Sequence, residues 1–199
     1  MNELRKGRIK SVMKYTWPIY IITAVLIGFG MNFIFGITHR IPNYKTLTLF
    51  ISGEMKDSKK LKADLLNKYQ DNELKQVSCI SSNPMDATYN SKLSIPGYNT
   101  ADVLIIPLSK LESVNVSAFG LDLSDELINT YYSSFTTYQQ NEVKYGIKID
   151  KSKVEEYFTL PSEECYMILN GKSENIGKYS VKQIENHNNA LKVVQDWGM

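Results

Sequence analysis

From Tyr15 to Thr38 the chain carries no formally charged side chain, a run of 24 residues. As a helix at ~1.5 Å per residue it would reach roughly 36 Å, against a hydrocarbon layer of ~30 Å. It is therefore long enough to span. A cleaved signal peptide has an apolar stretch of only ~7–15 residues and ends in small residues. Here the exit reads Gly36-Ile37-Thr38-His39-Arg40-Ile41-Pro42, without an Ala-x-Ala pattern, and the nearest cysteine is the distant Cys79. A retained anchor is the expectation.

Flanking charge sets the expected orientation. Arg5, Lys6, Arg8, Lys10 and Lys14 precede the run with only Glu3 opposing them, whereas Arg40 and Lys45 are the near basic residues after it. The positive-inside bias places the N-terminus in the cytoplasm and the rest of the chain outside, with Tyr15, Trp17 and Tyr20 at the inner interface. Pro18 is tolerated in the first turn of a span, where its missing N–H has no partner to lose. The expected organisation is a basic tail over 1–14, a transmembrane helix over 15–38, a linker over 39–45 and an extracytoplasmic domain over 46–199.

Ala24, Gly28, Asn32 and Gly36 recur every four residues and share one face of that helix. Small residues let backbones approach in lipid, and a buried Asn supplies an interhelical hydrogen bond. The face either packs on another membrane helix, its own copy or a partner's, or is ordinary span composition with Asn32 among the outer headgroups.

Of the chain's 23 basic and 21 acidic residues, 17 and 20 fall after residue 40, so the slightly basic balance belongs to the anchor. No Lys/Arg-rich face with interleaved aromatics remains to bind nucleic acid; the Lys59, Lys60, Lys62 group reads as a solvated helix face. Cys79 and Cys165 lie in apolar strand-like stretches, and buried thiols are expected in preference to a bridge. His39 and His187 have no ligand partner at zinc-like spacing, so no metal and no cofactor is expected.

The outer region reads as alternating strands and helices. Residues 46–51 form a β-rich run closed by Ser52-Gly53. Asp57 or Ser58 caps a helix from Lys59 to about Tyr69, its stripe Leu61, Leu65, Leu66 and Tyr69. Residues 74–80 form a second strand. Asn83 then caps a short helix that opens on Pro84. Residues 95–100 are a loop, and 101–107 a third strand, whose continuous apolar run suits burial on both faces of a parallel sheet. This βαβαβ order predicts an open, mostly parallel α/β sheet with right-handed crossovers.

A turn over 108–112 follows. Ser124 caps a predicted long helix running to about Asn141, with Leu127, Ile128, Tyr131 and Phe135 inward, while Tyr132 and Tyr138 lie partly off the stripe and are candidate contacts. Residues 144–149 and 165–169 are candidate strands, 154–158 a helical turn, and 186–197 an amphipathic helix with Ala190, Leu191, Val194 and Trp197 on one side.

Several of these segments resemble the first lobe of the bacterial extracellular solute-binding proteins that serve ABC importers, the type II periplasmic binding fold. The resemblance is carried by the opening strand over 47–51 with its capped helix, and by Tyr89-Asn90-Ser91-Lys92-Leu93 leading to Ala101-Asp102-Val103-Leu104. Tyr145-Gly146-Ile147, Cys165-Tyr166-Met167-Ile168-Leu169 and Asn188-Asn189-Ala190-Leu191 extend it over most of residues 46–197. A complete member has two lobes that close on ligand. Here the stretch between Gly146 and Cys165 is too short for a second lobe, and a spanning helix stands where Gram-positive members carry a lipid anchor. The resemblance thus implies one lobe offering half a cleft.

In open α/β sheets the crevice lies beyond the carboxyl ends of the strands. This predicts a ligand or partner rim of Ser52, Gly53 and Glu54, then Ser81, Ser82 and Asn83, then Pro107, Leu108 and Ser109, residues that also suit simple turns. No nucleophile elbow, P-loop, His-Glu-x-x-His or dinucleotide fingerprint is present, and Glu155-Glu156 and Glu163-Glu164 read as solvated carboxylate pairs. The expectation is a non-enzymatic accessory subunit of a membrane complex, with an ABC-type transporter the partner that the resemblance implies. The alternative is a solute receptor whose half-cleft is completed by dimerisation.

Overall fold

The computed structural model describes the backbone of residues 2–38 and 41–199, and the side chains of 16–36 and 41–199. His39 and Arg40, and the side chains of Arg5, Lys6, Arg8, Lys10, Lys14 and Tyr15, lie outside the described residues. The chain divides into two compact units, Met1–Arg40 and Ile41–Met199.

The first unit is one helix, α1 (Asn2–Thr38), with Pro18 inside it. Its segment Thr16–Gly36 has a mean hydropathy of 2.0 and no residue buried by protein. By length and composition it is able to cross a membrane, a test that a signal sequence near an N-terminus also passes.

The second unit is a mixed α/β domain. A turn at Asn43–Lys45, placed by the sequence in the linker, leads into β1 (Thr46–Ser52), and β2 (Glu54–Met55) follows. Helix α2 (Ser58–Lys68) starts at Asp57, whose carboxylate accepts from the N–H groups of Lys59 and Lys60 at 3.0 and 2.9 Å. This is the predicted cap, and it satisfies two donors that the first turn leaves without partners. Strand β3 (Gln76–Ser82) is followed by short helical turns: α3 (Tyr89–Lys92), a π-turn at Leu93–Gly97 and α4 (Tyr98–Thr100). The predicted helix at Pro84 is a turn instead, because the Asn83 side chain accepts from the N–H of Met85 and helix starts only at Tyr89. Residues 95–100, read as loop, are helical.

Next come β4 (Val103–Pro107), α5 (Leu108–Leu111), α6 (Asp125–Tyr131), β5 (Thr137–Gln140), β6 (Val143–Lys148), β7 (Phe158–Thr159), β8 (Cys165–Leu169) and α7 (Asn189–Trp197). The main sheet has the order β3-β1-β4-β8-β6-β5, and β2 pairs with β7 in a separate ribbon. Strands β3, β1 and β4 are parallel, whereas β4–β8, β8–β6 and β6–β5 are antiparallel. Four of the six strands therefore point one way, a mostly parallel sheet in which the antiparallel β8 separates β4 from β6.

The predicted helix to Asn141 is a correction. Helix α6 stops at Tyr131, and the chain returns as the β5–β6 hairpin. Its two-residue connection, Asn141-Glu142, has φ of 53° and 67° at the two positions, the backbone of a turn whose twist matches paired strands. Tyr132 is not a candidate contact: it is 1% exposed and its hydroxyl donates to the Leu191 carbonyl. Tyr138 sits on β5, half-buried against Tyr166.

The sheet is covered on both faces. Leu47, Leu49, Ile51, Val103, Ile105 and Met167 meet α2, α6 and α7 through Leu61, Leu65, Leu127, Leu191 and Val194. Phe50, Leu104, Ile106 and Ile168 meet Tyr89, Leu93, Leu111 and Phe119. Alternate residues of β4 thus enter opposite cores, as its uninterrupted apolar run predicts. Both cysteine thiols are free; burial pushes Cys165 up to about 11 and raises Cys79.

A buried polar network ties the amino ends of these strands. Asp102, 7% exposed, accepts from the Thr48 N–H at 2.7 Å and the Ser173 hydroxyl at 2.5 Å. The Ser173 oxygen accepts from the Asn175 N–H, and the Asn175 amide donates to the Thr46 carbonyl at 2.9 Å. Burial pushes the Asp102 carboxyl up to about 6, against the lowering effect of its hydrogen bonds. In the unfolded chain it is about 3.9, so this group's stabilisation is complete below about pH 4 and is lost as pH rises through about 6, a change of about 2–3 kcal/mol. In Asp102→Asn the amide oxygen still accepts from Thr48 and the amide nitrogen meets Ser173. Urea denaturation of residues 41–199 from about pH 4 to about pH 7.5 should show the variant gaining about 2–3 kcal/mol on its parent as pH rises. A constant gap would mean that Asp102 titrates as an ordinary carboxyl.

Candidate ligand crevice at the carboxyl edge of the sheet

At the carboxyl ends of β1 and β3 the structure holds a cavity of about 380 Å³. One wall is Glu54 with Asn83, Pro84 and Met85, the other the segment after β7, residues 159–163, and Gly53 lies between them. The Gly53 N–H donates to the Ser82 carbonyl at 3.0 Å. A Cβ at Gly53 would lie 2.2 Å from the Thr159 carbonyl oxygen, so only glycine lets β1 and the β7 segment approach this closely.

The predicted rim divides into three groups. Gly53, Glu54 and Asn83 line the crevice. Ser109 acts on it at one remove, its N–H and hydroxyl donating to the Glu163 carboxylate at 2.9 and 2.8 Å. The others stand behind. Ser52 is fully buried with its oxygen 2.7 Å from the Tyr89 hydroxyl, and Ser82 is 3% exposed with no hydrogen-bond partner for its own hydroxyl among the described residues. Ser81 is half-buried, Pro107 ends β4 opposite Cys165, and Leu108 packs on the smaller core. Burial pushes the Tyr89 hydroxyl up to about 12.

The far wall was missed. Thr159, Leu160, Pro161, Ser162 and Glu163 lie about a hundred residues from β1 in sequence, and tertiary contacts bring them to it, the β2–β7 pairing with Glu54 opposite Thr159 among them. Glu163 and Glu164 are exposed, as expected, yet each is engaged: Glu163 with Ser109, and Glu164 with Lys148 and the Tyr166 hydroxyl. The Lys148 ammonium holds the Glu164 carboxyl below its usual range. Lys151 braces the wall by donating to the carbonyls of Pro161, Ser162 and Glu163.

A second, polar cavity of about 260 Å³ opens at the amino edge, lined by Thr48, Asn99, Asp102, Lys172 and Glu174 among others. Its buried carboxylate is the strand tie described above. Among the described residues no three His, Cys, Asp or Glu side chains group as a metal site needs; His187 stacks on Tyr44 with ring centroids 3.8 Å apart. The crevice offers apolar contact, two carboxylates and backbone groups, which suits binding.

Gly53→Ala should cost about 1–3 kcal/mol, since the clash is with main chain. For a domain of this size that is a fall of roughly 2–10 °C in Tm, measured by thermal unfolding. An unchanged Tm would show that the crevice floor is loose.

No family model matches the chain, and no curated protein matches it either.

Proposed function

We propose that the protein is a single-pass membrane protein, N-terminus in the cytoplasm, that holds a non-enzymatic α/β binding lobe outside. What carries this reading is the character of α1. Trp17, Tyr20, Phe29 and Phe33 are each at least 65% exposed, and large apolar side chains occur on every side of the segment from Thr16 to Gly36. A helix apolar all round needs a bilayer or a protein core to cover it. The basic residues before the segment support the orientation.

The lobe's role follows from its crevice and from the resemblance to solute-binding lobes. It serves as an accessory subunit that contacts a partner or substrate of a membrane complex, with an ABC-type transporter the complex we favour. The face of Ala24, Gly28, Asn32 and Gly36 is the docking face: all four are exposed, and a Cβ at Gly28 or Gly36 would meet no atom within 4 Å. The crevice volume, within the roughly 300–1,000 Å³ usual for small-molecule sites, favours a second reading as a receptor whose open side is closed by a second copy.

Protease added to intact cells should remove the lobe and leave a membrane-embedded N-terminal fragment that resists alkaline extraction. Recovery of the lobe from the medium, or its full protection inside the cell, overturns the reading. Replacing Gly28 and Asn32 together with Leu should release the chain from a membrane complex that co-purifies with the parent protein; undiminished co-purification rules out this docking face.

A further inference from the structure

The crevice walls are selective in charge. Pro84, Met85, Leu160 and Pro161 supply apolar surface, and Met85 is 90% exposed. A methionine so bare on a cavity wall is an adaptable contact that the fold itself does not use. Among the described residues, the charged residues lining the space are Glu54 and Glu163, and no Lys, Arg or His lines it. Both carboxylates are held by neutral donors: Glu163 by Ser109, and Glu54 by the Asn83 amide at 3.4 Å. Among the described residues neither forms a salt bridge, although six other acidic side chains do. Lys151, a cation that braces the wall, donates to wall carbonyls and lines a neighbouring cavity with Ser162 and Glu164. Two like charges on opposite walls of a concave, partly apolar space focus a negative potential into it.

We propose that this crevice binds a small organic cation: an ammonium or guanidinium group facing Glu54 and Glu163, on a compact apolar body that packs against Met85, Leu160 and Pro161. The proposal rests on the lobe being a binding module and is independent of where in the cell it sits. The volume of about 380 Å³ stands at the small end of ligand sites, which fits a monocation of modest size better than an oligomer. Glu163 is preset for the task, since Ser109 fixes both of its oxygens before any ligand arrives, and preorganised groups lose less freedom on binding.

Three probes with one indole body and different charge test this: tryptamine, tryptophol and indole-3-acetate. They are titrated calorimetrically into the full chain in nanodiscs of zwitterionic lipid, with empty nanodiscs subtracted. Tryptamine should bind, tryptophol at least about tenfold more weakly, and indole-3-acetate more weakly still. Raising salt from about 0.05 to about 0.5 M should erode the tryptamine advantage. Glu54→Gln with Glu163→Gln should bring tryptamine down to the tryptophol level with little change in Tm, because the glutamine oxygen at 163 still accepts from the Ser109 N–H and its amide nitrogen can donate to the Ser109 hydroxyl. Met85→Ala should weaken tryptamine and tryptophol by the same factor. Equal binding of the three probes, no tryptamine binding up to about 10 mM, or undiminished binding in the double glutamine variant overturns the cation site. If the chain still co-purifies with a membrane complex in that case, the accessory-subunit reading stands without it.

Discussion

A buried carboxyl group aligns the centre of the domain. Asp102 precedes β4 and takes its hydrogen bonds from the backbone of β1 and from the loop after β8, while its own N–H donates to the Thr48 carbonyl at 2.7 Å. The Asn170 amide closes the same corner on the carbonyls of Ala101 and Tyr98. Three strands are thereby fixed in height at their amino-edge ends. In a strand buried on both faces an uninterrupted apolar run distinguishes registers less sharply than an alternating one; directional bonds to one buried group add to that specification. Gly53, which lines the crevice, lies at the other end of β1, the strand that Asp102 holds through Thr48.

Much of this was legible in the sequence. The continuous apolar run of β4, the Asp57 cap and the α2 stripe have local causes, and the structure uses each as read. The segment 132–141 misleads because Leu127, Ile128, Tyr131 and Phe135 fit a helical stripe that goes on matching after the helix has ended. Its turn, Asn141-Glu142, lacks the glycine that usually betrays a tight hairpin. The antiparallel entry of β8 beside β4 has no local signature, because both are fully buried and an apolar strand reads the same in either direction.

The crevice shows the same division. Its near wall belongs to the ends of strands that a topology argument can place, so Gly53, Glu54 and Asn83 were within reach. Its far wall depends on two residue pairs of a ribbon, Glu54 with Thr159 and Met55 with Phe158, which are too few to leave a pattern in a chain. The pairing of Ser109 with Glu163 is likewise a product of tertiary structure.

The position of β8 also divides the sheet. It fills the gap between β4 and β6, yet among the described residues it is the last strand in chain order. Without β8 the β3-β1-β4 half and the β6–β5 hairpin would each present a bare edge, and α7, which covers one face, lies later still in the chain. Chains in that condition expose the hydrogen-bonding rows on which misassociation begins. The sheet is therefore continuous only when residues 165–169 stand between its two halves.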